Sequence, residues 1–331
     1  MQFDEFYMQL ALNEAWKYQG LTYPNPAVGA VMVENGKLLS IAAHQKAGTS
    51  HAEVLALIAA YETLSGEKIE FDPLNSEESH DFLLKLPPKF FASCTIYVTL
   101  EPCAHHGKTP SCASLLSRLK LQRVVIATCD PIKGHDGGMN LLQNVTFGIL
   151  REKAEILLEP FKIWQKRAFV LFKLAQTSNG RIGGGYLSSK ASLSHVHQLR
   201  ERCDILFIGG NTVREDRPTL DCRFTEGNAP NVKIYSHTSD FDSEIPLFKV
   251  QDRKVEITDD LSFLDQPSFV LVEGGEGMLQ SLQKKIDWLL IYQTPKLSTN
   301  ALSYNIEMNL DFLHTERMGV DMMIWSKQVG Y

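Results

Sequence analysis

His51, Glu53, Cys103 and Cys112 are the residues whose types and spacing could do chemistry together in this 331-residue chain. His51-Ala52-Glu53 opens an apolar, Ala-rich stretch that reads as a helix, Pro102-Cys103 follows a β-rich run, and Cys112 starts another short helix. One imidazole and two thiolates would give a zinc ion three protein ligands and leave the fourth tetrahedral position for water, whose pKa then falls toward roughly 7. Glu53, in the first turn of the helix headed by His51, would reach that water without ligating the metal and would shuttle protons in a hydrolytic step. The positive ends of the helices that carry His51 and Cys112 would also assist thiolate formation. A plainer reading stands beside this one, because Ser50-x-x-Glu53 has the form of a capping box and would make Glu53 a helix cap.

The elements that must hold these groups alternate along the chain. Asp4 to Lys17 reads as an amphipathic helix, and Val28–Val33 and Lys37–Ala42 as a hairpin turned at Asn35-Gly36. A helix from Ala52 to Tyr61, strands at Cys94–Leu100 and Arg123–Thr128, and a helix at Ala113–Lys120 complete a β-β-α-β-α-β order. Between Leu64 and Phe91 the chain is polar and without sustained period, so it reads as a surface excursion. The charged stretch from Arg151 to Arg167, interrupted by Pro160, is the best domain boundary, giving domains 1–150 and 151–331. Beyond it, strands are expected at Phe169–Ala175, Asp204–Ile208, Val232–Tyr235, Phe269–Val272 and Trp288–Gln293, with helices near Ser192–Arg202 and Gly277–Lys285.

A content of 44% hydrophobic and 22% charged residues is that of a packed globular chain. The net charge of -6 gives no electrostatic footprint for a long nucleic-acid backbone, so no nucleic-acid partner is expected. No apolar run reaches the roughly 18–20 residues a bilayer span needs, so no membrane partner is expected either. The acidic start Met1-Gln2-Phe3-Asp4-Glu5 is unlike a secretory leader, and the expected location is cytoplasmic. In a reducing compartment six cysteines suggest metal ligation and buried packing, with Cys94, Cys129, Cys203 and Cys222 read as buried or incidental.

The loop Pro102-Cys103-Ala104-His105-His106-Gly107-Lys108-Thr109-Pro110-Ser111-Cys112 resembles the signature of the bifunctional deaminase/reductase of riboflavin biosynthesis, departing from it at Ala104 and Ser111. Pro24-Asn25-Pro26, Val28-Gly29, His44, Gly48 and Thr99-Leu100-Glu101 extend the resemblance, which covers nearly the whole chain. It implies an α/β chain, with a cytidine-deaminase-like α/β/α domain followed by a dihydrofolate-reductase-like α/β domain. It further implies zinc (Zn2+) on His51, Cys103 and Cys112, and Glu53 as the catalytic proton shuttle. Asn25, His44, His106 and Lys108 would meet a small phosphoribosyl pyrimidine substrate, with Lys108 on its phosphate. The family's Asp-Pro-Asn-Pro segment is here Asp130-Pro131-Ile132-Lys133, and the family commonly has a shorter connection than Leu64–Phe91.

Val270 to Val272 followed by Glu273-Gly274-Gly275-Glu276-Gly277 reads as a strand, a glycine turn and a helix, a form that presents backbone N–H groups to a phosphate. The resemblance implies NADPH at this turn. Ala175, Thr212, Asp216, Ser236, Gly275 and Gly277 fall at the family's dinucleotide positions, and Arg200, Leu220, Arg223 and Glu273 at its substrate positions. Departures here are Asn179 for an aspartate, Tyr186 for a tryptophan, Arg217 for an aspartate, and a shortened 182–186 loop. The expected activity is hydrolytic deamination of 2,5-diamino-6-(5-phosphoribosylamino)pyrimidin-4-one, then NADPH reduction of its ribosyl group to ribityl. Other readings stay open: a deaminase fused to a degenerate reductase, a base deaminase acting on nucleic acid, and a structural zinc protein with a nucleotide-sensing second domain. Whether copies associate into a homo-oligomer is also open.

Overall fold

The computed structural model describes residues 2–330 apart from 88, 105, 106, 108, 133–136, 184 and 186. The chain divides into two compact units, Met1–Lys162 and Ile163–Tyr331. The division falls later than the 150/151 boundary read from sequence. Ala154, Leu157 and Leu158 are buried in the first unit, and the Gln19 side chain donates to the Leu157 carbonyl at 2.9 Å.

The first unit runs α1 (Gln2–Trp16), β1 (Gly29–Glu34), β2 (Lys37–Ala43), α2 (Ala52–Ser65), α3 (Ser76–Lys85), β3 (Cys94–Leu100), α4 (Cys112–Leu119), β4 (Arg123–Thr128), β5 (Val145–Phe147), α5 (Arg151–Leu157) and α6 (Glu159–Trp164), the last crossing the division. Its five-stranded sheet has the order β2-β1-β3-β4-β5, antiparallel across β1 and parallel from β3 to β5. Every residue of β3 is buried, as a strand covered on both faces requires. Ala30, Met32, Ile96, Val98, Val124 and Ile126 pack toward α2 and α4, while Tyr97 on the other face donates to Asp4 of α1 at 2.7 Å. Asn35 and Gly36 both have positive φ, as the expected hairpin turn requires.

The segment read as a surface excursion is not one. Asn75 caps α3 by accepting from Glu78 N at 3.3 Å and returns its own amide to the Glu78 carboxylate at 2.7 Å. Leu83 and Phe91 are fully buried, and Phe71, Phe82 and Phe90 join the core, with Tyr61 and Phe82 edge to face at 4.8 Å. Its apolar residues were hard to read because the cap and the aromatic cluster sit among charged positions that face solvent.

The second unit runs β6 (Ala168–Thr177), α7 (Lys190–Arg202), β7 (Ile205–Gly209), α8 (Gly210–Asp216), β8 (Asn231–Tyr235), β9 (Val255–Thr258), β10 (Ser268–Glu273), α9 (Glu276–Leu282), β11 (Trp288–Thr294), β12 (Leu310–Met318) and β13 (Asp321–Gln328). Its eight-stranded sheet has the order β12-β13-β11-β6-β10-β7-β8-β9, parallel from β11 to β9, with an antiparallel hairpin β12–β13 at one edge. Val170, Phe172, Phe207, Val270, Val272 and Leu289 form its core with Leu279 of α9. No helix among the described residues is long and apolar enough to cross a membrane.

Candidate functional site

His51 itself occupies the N-cap of α2 in extended backbone (φ -72°, ψ 164°), which frees its ring from the helix. Its Nδ1 lies 3.8 Å from Cys103 Sγ and 3.4 Å from Cys112 Sγ, and its Nε2 is 3.1 Å from Thr109 Oγ1. Cys103 leaves the end of β3 and Cys112 begins α4, so the parallel strands and the helix start bring both sulfurs to one point. The turn between them is closed on itself: Ala113 N and Ser111 Oγ donate to the Cys103 carbonyl at 3.1 and 2.9 Å, and Cys112 N donates to Cys103 Sγ at 3.3 Å. The three ligand atoms lie within 4.8 Å of one another. This donor set of one imidazole and two thiols suits zinc, and among the described residues no fourth metal ligand joins it.

Ser50 does not cap the helix. Its hydroxyl donates to the Pro73 carbonyl at 2.6 Å, so the capping-box reading of Glu53 has no partner. Glu53 is instead 4% exposed, and burial raises its carboxyl above the usual range despite the opposing pull of His51. Burial works against a protonated His51, but its bond to Cys103 and the charges of Glu53 and Cys103 outweigh this and raise its pKa. The Cys103 thiol is lowered, chiefly by a hydrogen bond from Cys112 and also by His51.

His44 is buried, and burial pushes its pKa down to about 4. Its Nδ1 faces the Ser50 carbonyl at 3.1 Å, which fixes the proton there and leaves Nε2 to accept from Asn25 Nδ2 at 3.1 Å. The neutral ring therefore sets the orientation of the Asn25 amide. His106 and Lys108 lie outside the described residues. Sequence reading quoted Glu101 only as part of a matching triplet, yet it is buried and accepts from Gly137 N and Met139 N, both at 3.0 Å, which ties the loop after β4 to the cysteine turn. A buried acid directly before Pro-Cys was the available signal.

In the second unit Ala175, Gly209, Tyr235 and Glu273 mark the C-terminal ends of neighbouring parallel strands. Thr212 and Asp216 on α8, Ser236 after β8, and Gly275 and Gly277 at the start of α9 therefore gather along one edge, where open α/β sheets bind ligands. A Cβ built at Gly275 or Gly277 would meet nothing within 4 Å, so this turn leaves its backbone open to an approaching group. Ser236 Oγ accepts from Arg214 at 3.2 Å, while Asp216 is exposed at the end of its helix.

Arg200 and Glu273 meet each other. The guanidinium donates from Nε and Nη2 to the two carboxylate oxygens at 2.6 and 2.9 Å, Lys173 Nζ adds a contact at 3.0 Å, and Nη1 donates to the Asp221 carbonyl at 3.2 Å. Burial alone would raise Glu273, but Arg200 and Lys173 hold it far below the usual range. Arg223 is more open and pairs with Asp221 at 2.8 Å. Leu220 is buried with φ +57°, in a turn held by Arg253, which donates to the Leu220 and Thr219 carbonyls at 2.7 and 2.6 Å.

Residues 1–128 match the family model of the cytidine and deoxycytidylate deaminase zinc-binding region, and residues 168–324 match that of the RibD C-terminal domain. The riboflavin biosynthesis protein RibD of Aquifex aeolicus is 36% identical over 74% of this chain, a stretch spanning 64% of that protein's own length, less than two thirds. RibD of Buchnera aphidicola is 31% identical over 92% of this chain and 84% of its own length. A solved structure from Thermotoga maritima, described as a diaminohydroxyphosphoribosylaminopyrimidine deaminase/5-amino-6-(5-phosphoribosylamino)uracil reductase, superposes with a TM-score of 0.65 at 25% identity and 99% coverage of both chains. With both domain types in that order and this extent of likeness, the chain belongs to the RibD family of riboflavin biosynthesis proteins.

Proposed function

We propose that this chain carries out two steps of riboflavin biosynthesis. The first unit hydrolytically removes ammonia from 2,5-diamino-6-(5-phosphoribosylamino)pyrimidin-4-one, and the second reduces the ribosyl group to ribityl with NADPH. The carrying observation is the gathering of His51, Cys103 and Cys112 within 4.8 Å, with a buried Glu53 two residues from His51 in the first turn of α2. His51, Cys103 and Cys112 would hold zinc, which would supply an acidified water as the nucleophile for the amine-bearing ring carbon. Glu53, with its carboxyl raised by burial, is suited to take a proton and pass it to the leaving ammonia. Asn25, its amide nitrogen held on His44, turns its carbonyl oxygen to a ring N–H of the pyrimidine. His106 and Lys108 are proposed to meet the phosphoribosyl arm.

In the second unit the open turn Gly275–Gly277, with Ala175, Thr212, Asp216 and Ser236, would hold the dinucleotide, which supplies a hydride when bound. Arg200, Arg223, Leu220 and Glu273 would line the substrate side. Arg200 is already clamped on Glu273, so its role there is a fixed, desolvated positive edge. We place the enzyme in the cytoplasm, where thiol ligands stay reduced, acting on a small molecule and on neither nucleic acid nor membrane. The proposed domain functions follow the two units.

The test is ammonia release from the diamino pyrimidine by zinc-replete chain, followed by NADPH oxidation with the deaminated product. Absence of ammonia release would remove the first half. Release without NADPH binding or oxidation would leave a deaminase fused to an inactive reductase.

A further inference from the structure

Arg214 on α8 is held in place by neutral groups. Its Nη2 donates to Ser236 Oγ at 3.2 Å and to Thr238 Oγ1 at 2.6 Å, and its guanidinium lies over the Phe241 ring, 4.1 Å from the centroid. These contacts fix the plane of the group, while its Nε and Nη1 find no acceptor among the described residues. No described carboxylate makes an ion pair with it, since the acids nearby are taken: Asp242 by Arg217, Asp221 by Arg223 and Asp259 by His237. Gly210 makes room for the arrangement, because a Cβ there would stand 2.9 Å from both Arg214 Nη1 and Ser236 Oγ. An oriented guanidinium with donors to spare and no countercharge suits a phosphate.

The place of Arg214 along the sheet decides which phosphate that is. In the strand order β11-β6-β10-β7-β8, the glycine turn after β10 has Lys173 and Ala175 of β6 on one side and α8 and Ser236 on the other. The Arg200–Glu273–Lys173 cluster puts the substrate side at β6 and β10. A dinucleotide with its pyrophosphate on Gly275–Gly277 and its hydride-bearing ring toward that cluster must send its adenosine half across β7 to β8, roughly 5–10 Å along the edge. NADPH differs from NADH by one phosphate on the adenosine ribose, a group that arginine accommodates well. We infer that Arg214, oriented by Ser236, Thr238 and Phe241, takes this 2′-phosphate and sets the preference for NADPH over NADH. The inference rests on the reading of Gly275–Gly277 as the dinucleotide site.

The experiment titrates full-length wild type, Arg214→Met and Arg214→Lys with NADPH and with NADH by isothermal calorimetry. Methionine keeps an unbranched stem over Phe241 without charge, and lysine keeps the charge without the planar group. We expect wild type to bind NADPH more tightly than NADH. In Arg214→Met the NADPH dissociation constant should rise about 10–100-fold, the usual worth of a hydrogen bond to a charged group, and that for NADH should stay within about threefold. Arg214→Lys should fall between the two. The KM for the deaminated pyrimidine, measured with NADH, should not move; a rise there would give Arg214 to the substrate's own phosphate and overturn the inference. An equal loss of affinity for both dinucleotides, or none, would overturn it as well. A wild type that binds neither dinucleotide would overturn the cofactor reading on which it stands.

Discussion

Glu53 shares its helical turn with a His51 that has taken the cap position, and Ser50 does not complete a capping box with it. We expect Glu53→Gln to retain zinc and to lose ammonia release by about 10²–10⁴-fold, the usual worth of a positioned acid or base. Metal analysis and an ammonia assay on the same sample check this, and near-normal release would return Glu53 to a structural role. Asn179 leads to a different expectation from the one its family position suggests. Its Oδ1 accepts from Thr177 Oγ1 at 2.7 Å and Ser298 N at 3.1 Å, and its Nδ2 donates to the Ser298 carbonyl at 2.9 Å. An aspartate keeps the acceptors but sets a carboxylate oxygen against a carbonyl, so restoring the family residue should cost about 1 kcal/mol in the second unit. Chemical denaturation of Asn179→Asp reads that cost directly, and an unchanged midpoint would show that the 298 loop yields.

At the scale of elements, β1 lies so close under α1 that residue 29 must be glycine. A Cβ there would stand 1.9 Å from the Ala11 carbonyl oxygen, and backbone cannot move aside as a side chain can. Gly29→Ala should therefore destabilise the first unit by about 1–3 kcal/mol or more, as overpacking does, read as a lower midpoint for loss of first-unit circular dichroism. The elements that sequence revealed are those with strong local signals. The hairpin at Asn35-Gly36, the fully buried β3, and the helix break near Pro160 each carry one. Those it missed lack one. The short α8 begins Gly210-Asn211, and β12 is a largely exposed edge strand without clean alternation. In α3 the apolar positions pack against neighbours distant in sequence. The metal ligands were legible because side-chain type alone limits what they can be. The contacts that tie Ser50 to Pro73 and Leu74 were not, since they run to backbone carbonyls that any residue carries.

Across the whole molecule the two units keep separate cores, so separate perturbations should reach them separately. Zinc bound to the native first unit and not to its unfolded form stabilises that unit by mass action, about 4 kcal/mol at a thousandfold excess over Kd. Chelation should lower its unfolding midpoint and leave the other unit in place. The second unit has its own sensitivity in His195, fully enclosed beside Trp325, with its Nδ1 2.6 Å from Tyr292 Oη. Burial pushes the His195 pKa down to about 4, and Tyr292, raised by burial, keeps its proton and donates it to the neutral ring. An unfolded histidine titrates near 6.5, so between about pH 6.5 and 4 the unfolded chain binds a proton that the native ring refuses. This contribution to stability is present above about pH 6.5 and is lost as pH falls toward 4, by up to about 3 kcal/mol. Trp164, Trp288 and Trp325 all belong to this unit and only Trp16 to the other, so tryptophan emission reports chiefly on the second. Denaturant midpoints followed by emission should fall on acidification over that range and stay fixed on chelation at pH 7. In His195→Asn, which keeps a polar group where Nδ1 meets Tyr292 but cannot titrate, the acid slope should shrink by about one proton. An undiminished slope in that variant would assign the acid sensitivity to other groups.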